Sequence, residues 1–479
     1  MTFTRPLSPS SSPIHASVLD CQSDRPRFSR DLGCNELSYF LPSRADGVND
    51  MYLHLGFQAP PELISPQRVH AIWAVQRLRH PLLASRVNAP DASCARFEYD
   101  IPATVDEALR LAAEESSLTS SSKTVRLVTT KRGYSKNNFP TIKFIDLLSN
   151  YLNGPRLLSA WRTSFLIISR DPERLELDKQ NGLPRSMEAA LPALPNGLRR
   201  AIGMVDDQLL STKQIGGQSF PKVKGATRKT VFRRSRSIKS ANGVSVSSAV
   251  FALCNIAWAK LLARGVVTAE MGAKLPTLMY SALNTRPWLD QISANESFFR
   301  LNIGYFNIFI PSESASIHRT FWHRARLAKA QSAAAVKSQF IISRTQLTAS
   351  KRKEQAIKWA KIDDEEAART RTGLLTPATT PIKEQPPALP NVEPRASRSN
   401  PTPPSTALMG LSLLGNLDGM YTHAAYGPIK LDTLTTGSRQ RAGAMLLFSY
   451  TFVGKLWLCF GYDENGFDRA VVEEFGRRW

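Results

Sequence analysis

The chain of 479 residues has few cysteines and histidines and a deficit of acidic residues. Its five cysteines are scattered, with no Cys-x-x-Cys pair and no histidine at ligand spacing. This pattern excludes the common zinc sites and predicts reduced thiols. No apolar segment follows the N-terminal residues "MTFTRPLSPSSSP", so a secretory signal is not indicated. Together these absences predict a cytoplasmic protein that binds no metal.

Long uninterrupted hydrophobic runs are also missing. The most apolar helical segment, "SSAVFALCNIAWAKLLARGVV", contains Lys260 and Arg264, and "AMLLFSYTFVGKLWLCFGY" is interrupted by Gly454 and Lys455. Neither segment is therefore expected to span a bilayer. Apolar residues still make up 42% of the chain, which is enough to bury a core in each of two domains.

Acidic residues do not balance the basic ones: 62 Lys and Arg against 40 Asp and Glu give a net charge of +22. Such a charge attracts polyanions, and nucleic acid, acidic lipid and nucleotide phosphates all fit it. The segment 222–239, "KVKGATRKTVFRRSRSIK", holds eight basic side chains and no acid. It prompts the hypothesis of a basic nucleic-acid-binding protein. However, it lacks aromatic residues beyond Phe232 and any known binding motif, so a solvated basic surface explains it as well.

Local patterns predict a mixture of strands and helices. The segments "NELSYFLP" and "MYLHLGFQ" have the alternation of strands. The segment "SPQRVHAIWAVQRLRH" starts like a capped helix, and Pro81 ends it, so that His80 marks a corner before an extended "LLASRV". The serine-capped "GVSVSSAVFALCNIAWAKLLARG" predicts a buried helix. Strands are predicted in "LPTLMYSALNTRP", in "IGYFNIFIP" and in a hairpin of "AMLLFSYTF" with "LWLCFGYD".

Six segments, in this order, resemble the fungal condensation-domain-like acyltransferases: "RHPLLASRV", "GLPRSMEAALP", "GVSVSSAVFALCNIAWAKLL", "YSALNTRPWL", "IGYFNIFIPS" and "LSLLGNLDGMY". The resemblance covers roughly residues 35–475. It extends to alcohol acetyltransferases and, more distantly, to plant BAHD acyltransferases and nonribosomal condensation domains. It implies an α/β fold of two chloramphenicol-acetyltransferase-like halves, each a mixed sheet flanked by helices, with a tunnel between them.

Composition and resemblance together predict how the chain is divided. We expect a flexible N-terminal segment over residues 1–30, an N-terminal half over 31–190, a crossover linker over 191–225 and a C-terminal half over 226–479. Prolines crowd residues 371–407, which predicts a long irregular insertion in the C-terminal half.

The resemblance implies transfer of an acyl group from acyl-CoA, the cosubstrate, to a hydroxyl or amine of a small molecule such as a secondary metabolite. It implies a monomer with no permanently bound cofactor. In the family, the histidine of a His-x-x-x-Asp-Gly motif takes the acceptor's proton. None of the seven histidines here has Asp four residues on, and residues 125–150, where the motif is expected, contain no histidine. The alternatives are therefore a non-catalytic relative without the base, or a truncated or mis-assembled reading frame.

His423 is the candidate catalytic residue. Asp418 and Gly419 precede it, which reverses the order of the family motif. Asn416 and Asp418 are candidates for binding the substrate in the tunnel wall, although "GNLDG" is also typical of a turn.

Three further candidate substrate-binding residues come from the resemblance. Asn284 and Arg286, in "NTRPW", stand at the end of a predicted strand, where the family often has Asn-x-Arg facing the interface. Asn307, in "GYFN", is placed to line the tunnel. Ties between loops, or a bond to a buried backbone group, explain these residues equally well.

His80 is expected to be structural, because it lies far in sequence from the catalytic loop of the family. In condensation domains an arginine four residues after this histidine pairs with the motif's Asp. Ala84 occupies that position here, and Arg86, two residues later, would share a strand face with it.

Overall fold

The structure is a computed structural model that describes most of the chain. The described residues are 27–114, 116–121, 124–129, 183–194, 196–223, 237–238, 245–267, 275–289, 300–312, 319–371, 406–440, 443–464 and 466–478.

Within these ranges the helices are α1 (Cys34–Asp46), α2 (Pro66–Arg79), α3 (Pro81–Ala84), α4 (Val105–Glu114), α5 (Met187–Ala190), α6 (Leu198–Lys213), α7 (Val246–Ala263), α8 (Phe321–Val336), α9 (Ile341–Arg371) and α10 (Arg469–Arg477). Short 3-10 helices cover Pro61–Ile64, Arg286–Trp288 and His423–Tyr426. The strands are β1 (Arg27–Asp31), β2 (Met51–Gln58), β3 (Arg86–Asn88), β4 (Arg96–Asp100), β5 (Ser116–Ser121), β6 (Thr124–Thr129), β7 (Ser237–Ile238), β8 (Thr277–Asn284), β9 (Ile303–Ile310), β10 (Met409–Asn416), β11 (Lys430–Ser438), β12 (Met445–Phe452) and β13 (Lys455–Tyr462).

A six-stranded mixed sheet forms the centre of the C-terminal part, in the order β7-β13-β12-β10-β8-β9. Strand β10 runs parallel to both of its neighbours, β12 and β8, whereas the other pairs are antiparallel. Helix α7 packs in the core on this sheet, with Phe251 and Trp258 almost fully buried. Ser245 caps the helix by accepting the N–H of Ser248. The predicted helix and its serine cap are confirmed, as are the predicted strands β8, β9, β12 and β13.

The N-terminal part contains the antiparallel sheet β1-β4-β3 and helices α1, α2 and α4. Strand β2, predicted from "MYLHLGFQ", is confirmed, but its partner is β11, with Met51 opposite Ser438 and Gln58 opposite Lys430. One core cluster accordingly combines side chains of α2 with Tyr421, Tyr426 and Leu434. The two ends of the chain thus share a hydrophobic core.

Two local predictions are wrong. The segment "NELSYFLP" lies in helix α1 instead of a strand. Its alternating Leu37, Tyr39 and Leu41 are all buried because the helix is covered by β4, β9 and α9, so burial on several sides imitates a strand pattern. The corner after His80 is a short helix, α3, before β3 begins at Arg86. Pro81 occupies the first position of α3, which proline tolerates well.

The predicted division of the chain stays a prediction, and the structure adds two details to it. Strand β1 begins at Arg27, inside the segment expected to be flexible, and helix α6 occupies much of the expected linker 191–225. Most of the proline-rich insertion, from residue 372 to 405, lies outside the described residues. Among the described helices, α7 has the length and apolar composition of a membrane span, but it lies in the core.

Candidate functional site

One edge of the six-stranded sheet gathers most of the candidate residues. Because β8, β10 and β12 are parallel to one another, their carboxyl ends lie at the same edge, together with the start of the antiparallel β9. We call this the carboxyl edge. It carries Asn284, the last residue of β8, and Arg286 after it, together with Asn416, the last residue of β10, and Asp418 and His423 after it.

Asp418 is the centre of a small hydrogen-bond network at the carboxyl edge. Its carboxylate accepts the backbone N–H groups of Val453 and Gly454, at 2.6 and 2.9 Å. These two residues form the β12–β13 turn with positive φ angles of 53° and 64°, which leaves both N–H groups pointing away from the ladder. The carboxylate also bonds Nε2 of His423 at 2.9 Å. One side chain therefore holds both a strained turn and an imidazole.

The electrostatics of this network favour an ionised Asp418. Burial alone would raise the pKa of its carboxyl, but the N–H groups of Gly454 and Val453 and the His423 ring outweigh burial and hold that pKa below its ordinary value. When Nε2 of His423 donates to the carboxylate, Nδ1 carries the lone pair and is able to take a proton. The His423 ring is about one-third exposed, at 35%, so it is accessible from solvent.

Asn416 has a structural role in the same loop. Its Oδ1 accepts the N–H of Asp418 and the hydroxyl of Thr451, both at 3.1 Å. Just before it, the register of β10 shifts at Gly415, which has a φ of 78°. Such a bulge re-aims the end of a strand. The turn predicted from "GNLDG" is confirmed, and a role of Asn416 in binding stays a prediction.

The start of β9 meets helix α1 across the interface between the two parts of the chain. Nδ2 of the buried Asn35 donates to the carbonyl of Ile303 at 2.6 Å. The hydroxyl groups of Tyr39 and Tyr305 hydrogen-bond to each other. The Arg352 guanidinium, from α9, lies 5.3 Å from the Tyr39 ring centre and 4.6 Å from that of Tyr305. These cation–π contacts join α1, α9 and β9 at the carboxyl edge.

Arg286 belongs to a group of neighbouring guanidinium groups. The backbone N–H of Arg286 bonds Oδ1 of Asn284 at 3.1 Å, so the two predicted residues share one turn. The buried Arg300 donates to the Arg185 carbonyl. Burial, together with the nearby Arg286 and Arg185, lowers the pKa of Arg300 to about 10. Glu36 forms a two-pronged ion pair with Arg30, at 2.7 and 2.8 Å, beside this group.

The remaining candidates lie away from the carboxyl edge. Asn307 lies opposite Tyr280 in the middle of β9 and donates to Gln214 Oε1 at 2.8 Å, next to the end of α6. His80 is buried at the corner between α2 and α3, as expected of a structural residue. Arg86 forms an exposed ion pair with Asp100. The segment 125–150, where the family motif is expected, lies almost wholly outside the described residues.

The side chains found in the described part of the chain form no group of three or more His, Cys, Asp and Glu residues suited to a metal ion. The bond between His423 and Asp418 offers proton transfer by an imidazole that a carboxylate holds in place.

Comparison with known proteins relates this geometry to one fold. No protein-family model and no curated protein matches the sequence. The solved structure of the trichothecene 15-O-acetyltransferase from Fusarium sporotrichioides is similar over 98% of both chains, at 11% identity and a TM-score of 0.63. The epimerization domain from the third module of tyrocidine synthetase B matches at a TM-score of 0.48, with 8% identity over 95% of this chain and 97% of that one.

The chain therefore shares the fold of that O-acetyltransferase, and the predicted α/β fold class is confirmed. Sequence reasoning did not single out Tyr39, Tyr305 or Arg352. The signal was weak: Tyr305 stands beside Asn307 in "GYFN", whereas Tyr39 lies in a segment interpreted as a strand.

Proposed function

We propose that the protein transfers an acyl group from acyl-CoA to a hydroxyl or amine of a small molecule, as a cytoplasmic monomer. The observation that carries this proposal is the similarity of fold, over the whole chain, to an O-acetyltransferase. The net charge of +22 supports it, because the phosphates of coenzyme A are attracted to a basic protein. The guanidinium groups of Arg286 and Arg300 would supply part of that attraction at the carboxyl edge.

His423 is the proposed base. Nδ1 of His423 takes the proton of the acceptor's hydroxyl or amine as its oxygen or nitrogen attacks the thioester carbonyl. The tetrahedral intermediate then expels the coenzyme A thiolate, which receives the proton back from the imidazolium. Asp418 keeps the ring in place and stabilises the imidazolium while it exists. No covalent enzyme intermediate is needed.

The test is acyl transfer by the purified protein with a panel of acyl-CoA donors and small alcohol and amine acceptors. We expect His423→Ala to reduce turnover by about 10²- to 10⁴-fold, the usual contribution of a general base. His323→Ala is the matched control, because this histidine is exposed on α8. Thermal unfolding of each variant shows that the fold is retained.

Two outcomes separate the parts of the proposal. Turnover retained in His423→Ala would remove His423 as the base and leave acyl transfer standing. No turnover with any donor, while calorimetry detects coenzyme A binding, would favour the second candidate function, a non-catalytic relative that keeps the scaffold. One observation favours that candidate: none of the seven histidines is followed by Asp four residues on.

A further inference from the structure

Helix α6 is attached to the protein by its polar face. Asp206 forms two bonds with the Arg344 guanidinium, at 2.7 and 2.9 Å, and Asp207 pairs with Lys351, both cations lying on α9. Gly203, on the same face, approaches Ser343 closely. Positions 203, 206 and 207 lie on one face of a helix, so α6 contacts α9 through ion pairs and a small residue.

The apolar side chains of α6 point to solvent instead. Leu198, Ile202, Val205 and Leu209 are separated by four, three and four residues, which aligns them on one face. Their exposed fractions are 76%, 46%, 57% and 52%. We call these four residues the α6 stripe. At 1.5 Å per residue it is about 16 Å long.

An amphipathic helix on a globular protein normally turns its apolar stripe to the core. An exposed aliphatic stripe therefore indicates a surface that binds another protein or a membrane. Centres of protein–protein interfaces are rich in Trp, Tyr and Phe, but α6 has no aromatic residue, so its side chains suit lipid chains better than a protein partner.

The charge around the stripe indicates which lipid. Arg199 and Arg200 are exposed in the first turn of α6, and Lys213 is exposed in the last. The two carboxylates of the helix, Asp206 and Asp207, are already paired with α9. The surface is thus cationic, in a protein whose overall charge is +22. Such a pattern is typical of helices that lie in the headgroup region of an anionic bilayer.

We propose that α6 is a membrane-surface helix, which inserts the α6 stripe into the interface of bilayers that contain anionic lipids. It would hold the protein at the bilayer surface. This inference does not depend on the acyl-transfer proposal, because vesicle binding is measured without any substrate.

The test is co-sedimentation of the full chain with vesicles of phosphatidylcholine alone and of phosphatidylcholine with phosphatidylserine. We expect binding to the anionic vesicles, weakened by salt. The double variant Val205→Ser with Leu209→Ser should lose about tenfold or more in partitioning, because two aliphatic side chains no longer leave water. The matched control is Val223→Ser with Val266→Ser, which replaces two valines that are 48% and 40% exposed elsewhere. It should bind like the parent.

Arg199→Glu with Arg200→Glu should reduce binding to the anionic vesicles and diminish its salt dependence. Equal binding of the stripe variant and the parent, or no binding to either vesicle, would overturn the proposal. A parent dimer that the stripe variant makes monomeric in light scattering would assign the stripe to a second copy. A lowered melting temperature of the stripe variant would assign it to another segment of this chain.

Discussion

At the scale of single residues, Asp418 is the side chain on which the carboxyl edge most depends. Replacing it with Asn puts an amide N–H opposite the turn N–H of Val453 or Gly454 and weakens the bond to His423. We expect Asp418→Asn to lower the free energy of unfolding by about 1–3 kcal/mol at neutral pH. Urea unfolding measures this, and Asp432→Asn, at an exposed position of β11, is the control.

The loss of unfolding free energy in Asp418→Asn should depend on pH in a defined direction. The folded-state pKa of Asp418 lies below the ordinary 3.8, so its ionised form stabilises the native state. That contribution is fully present above the ordinary pKa and disappears as the pH falls through the lowered one. Parent and Asp418→Asn should therefore converge in acid. A difference that is constant across this range would contradict the role given to the carboxylate.

Glu188 should show the opposite pH dependence. Its Oε1 accepts the N–H of Asn35 at 2.8 Å, but burial, assisted by the nearby Glu36, raises the pKa of the Glu188 carboxyl. The folded protein then holds this proton more tightly than the unfolded chain, so stability falls as the pH rises from the ordinary 4.5 to the raised value. We expect Glu188→Gln to remove this decline.

The measurement is the free energy of unfolding across that pH range for the parent, for Glu188→Gln and for Glu62→Gln, whose side chain is exposed. The advantage of Glu188→Gln over the parent should grow with pH, whereas the Glu62 variant should follow the parent. Parallel curves for all three proteins would show that Glu188 does not hold the proton.

Sequence reasoning at this scale found Asp418 and His423 but not the bonds that hold them. Asp418 and His423 are five residues apart, so a shared loop could be inferred. The turn N–H groups that set the charge of Asp418 come from Val453 and Gly454, which are 35 and 36 residues further on. Only the pairing of β10 with β12 brings them there. The role of Asn307 in the tunnel stays a prediction, because the motif "GYFN" gives no information about its bond to Gln214.

At the scale of elements, the β2–β11 pair can be tested by a substitution that it should not tolerate. Gly56 faces Thr433 across the pair, and a Cβ at position 56 would collide with the Thr433 hydroxyl oxygen. We expect Gly56→Ala to cost about 1–3 kcal/mol of unfolding free energy. The next Thr433 side-chain atom, its Cβ, would lie at an ordinary 3.5 Å.

Because only the Thr433 hydroxyl oxygen would collide, a variant without this hydroxyl is the control. Removing the hydroxyl with Thr433→Ala should rescue most of the loss in the double variant, so a double-mutant cycle should yield a favourable coupling of about 1 kcal/mol or more. Additive effects of the two substitutions would indicate that residues 56 and 433 are not neighbours, and hence that the register of this pair is different.

Elements whose sequences carry a clear cap or a continuous apolar run were predictable from the sequence, whereas those with unusual surroundings were not. Helix α7 and strands β8 and β12 carry caps and apolar runs that point to one structure. Helix α1 is buried on several sides, which removes the helical periodicity from its sequence. Helix α6 does have such a periodicity, but it lies in a segment that was assigned to a linker, and its apolar stripe faces solvent.

At the scale of the whole molecule, the order of the resembling segments was sufficient to predict the fold class, even though the predicted strand in "NELSYFLP" is a helix. The pairing of a strand from the N-terminal part with a strand from the C-terminal part was not predictable. Strand β11 joins β2, more than 370 residues earlier, and nothing in either strand specifies a partner so distant. Residues 226–479 are therefore not expected to be independent of the N-terminal part.

This dependence predicts that neither half folds alone. A fragment of residues 226–479 would lack β2 and α2, which cover Tyr421, Tyr426 and Leu434, all fully buried in the whole chain. Each such side chain contributes about 1.5–3 kcal/mol when buried, and a domain has only about 5–15 kcal/mol of net stability. The fragment should show no cooperative urea transition and weak near-ultraviolet circular dichroism, whereas the full chain should unfold with coincident transitions by both probes. A cooperative transition in the isolated fragment would mean that the shared core is dispensable, and that the boundary near residue 226 separates two autonomous domains.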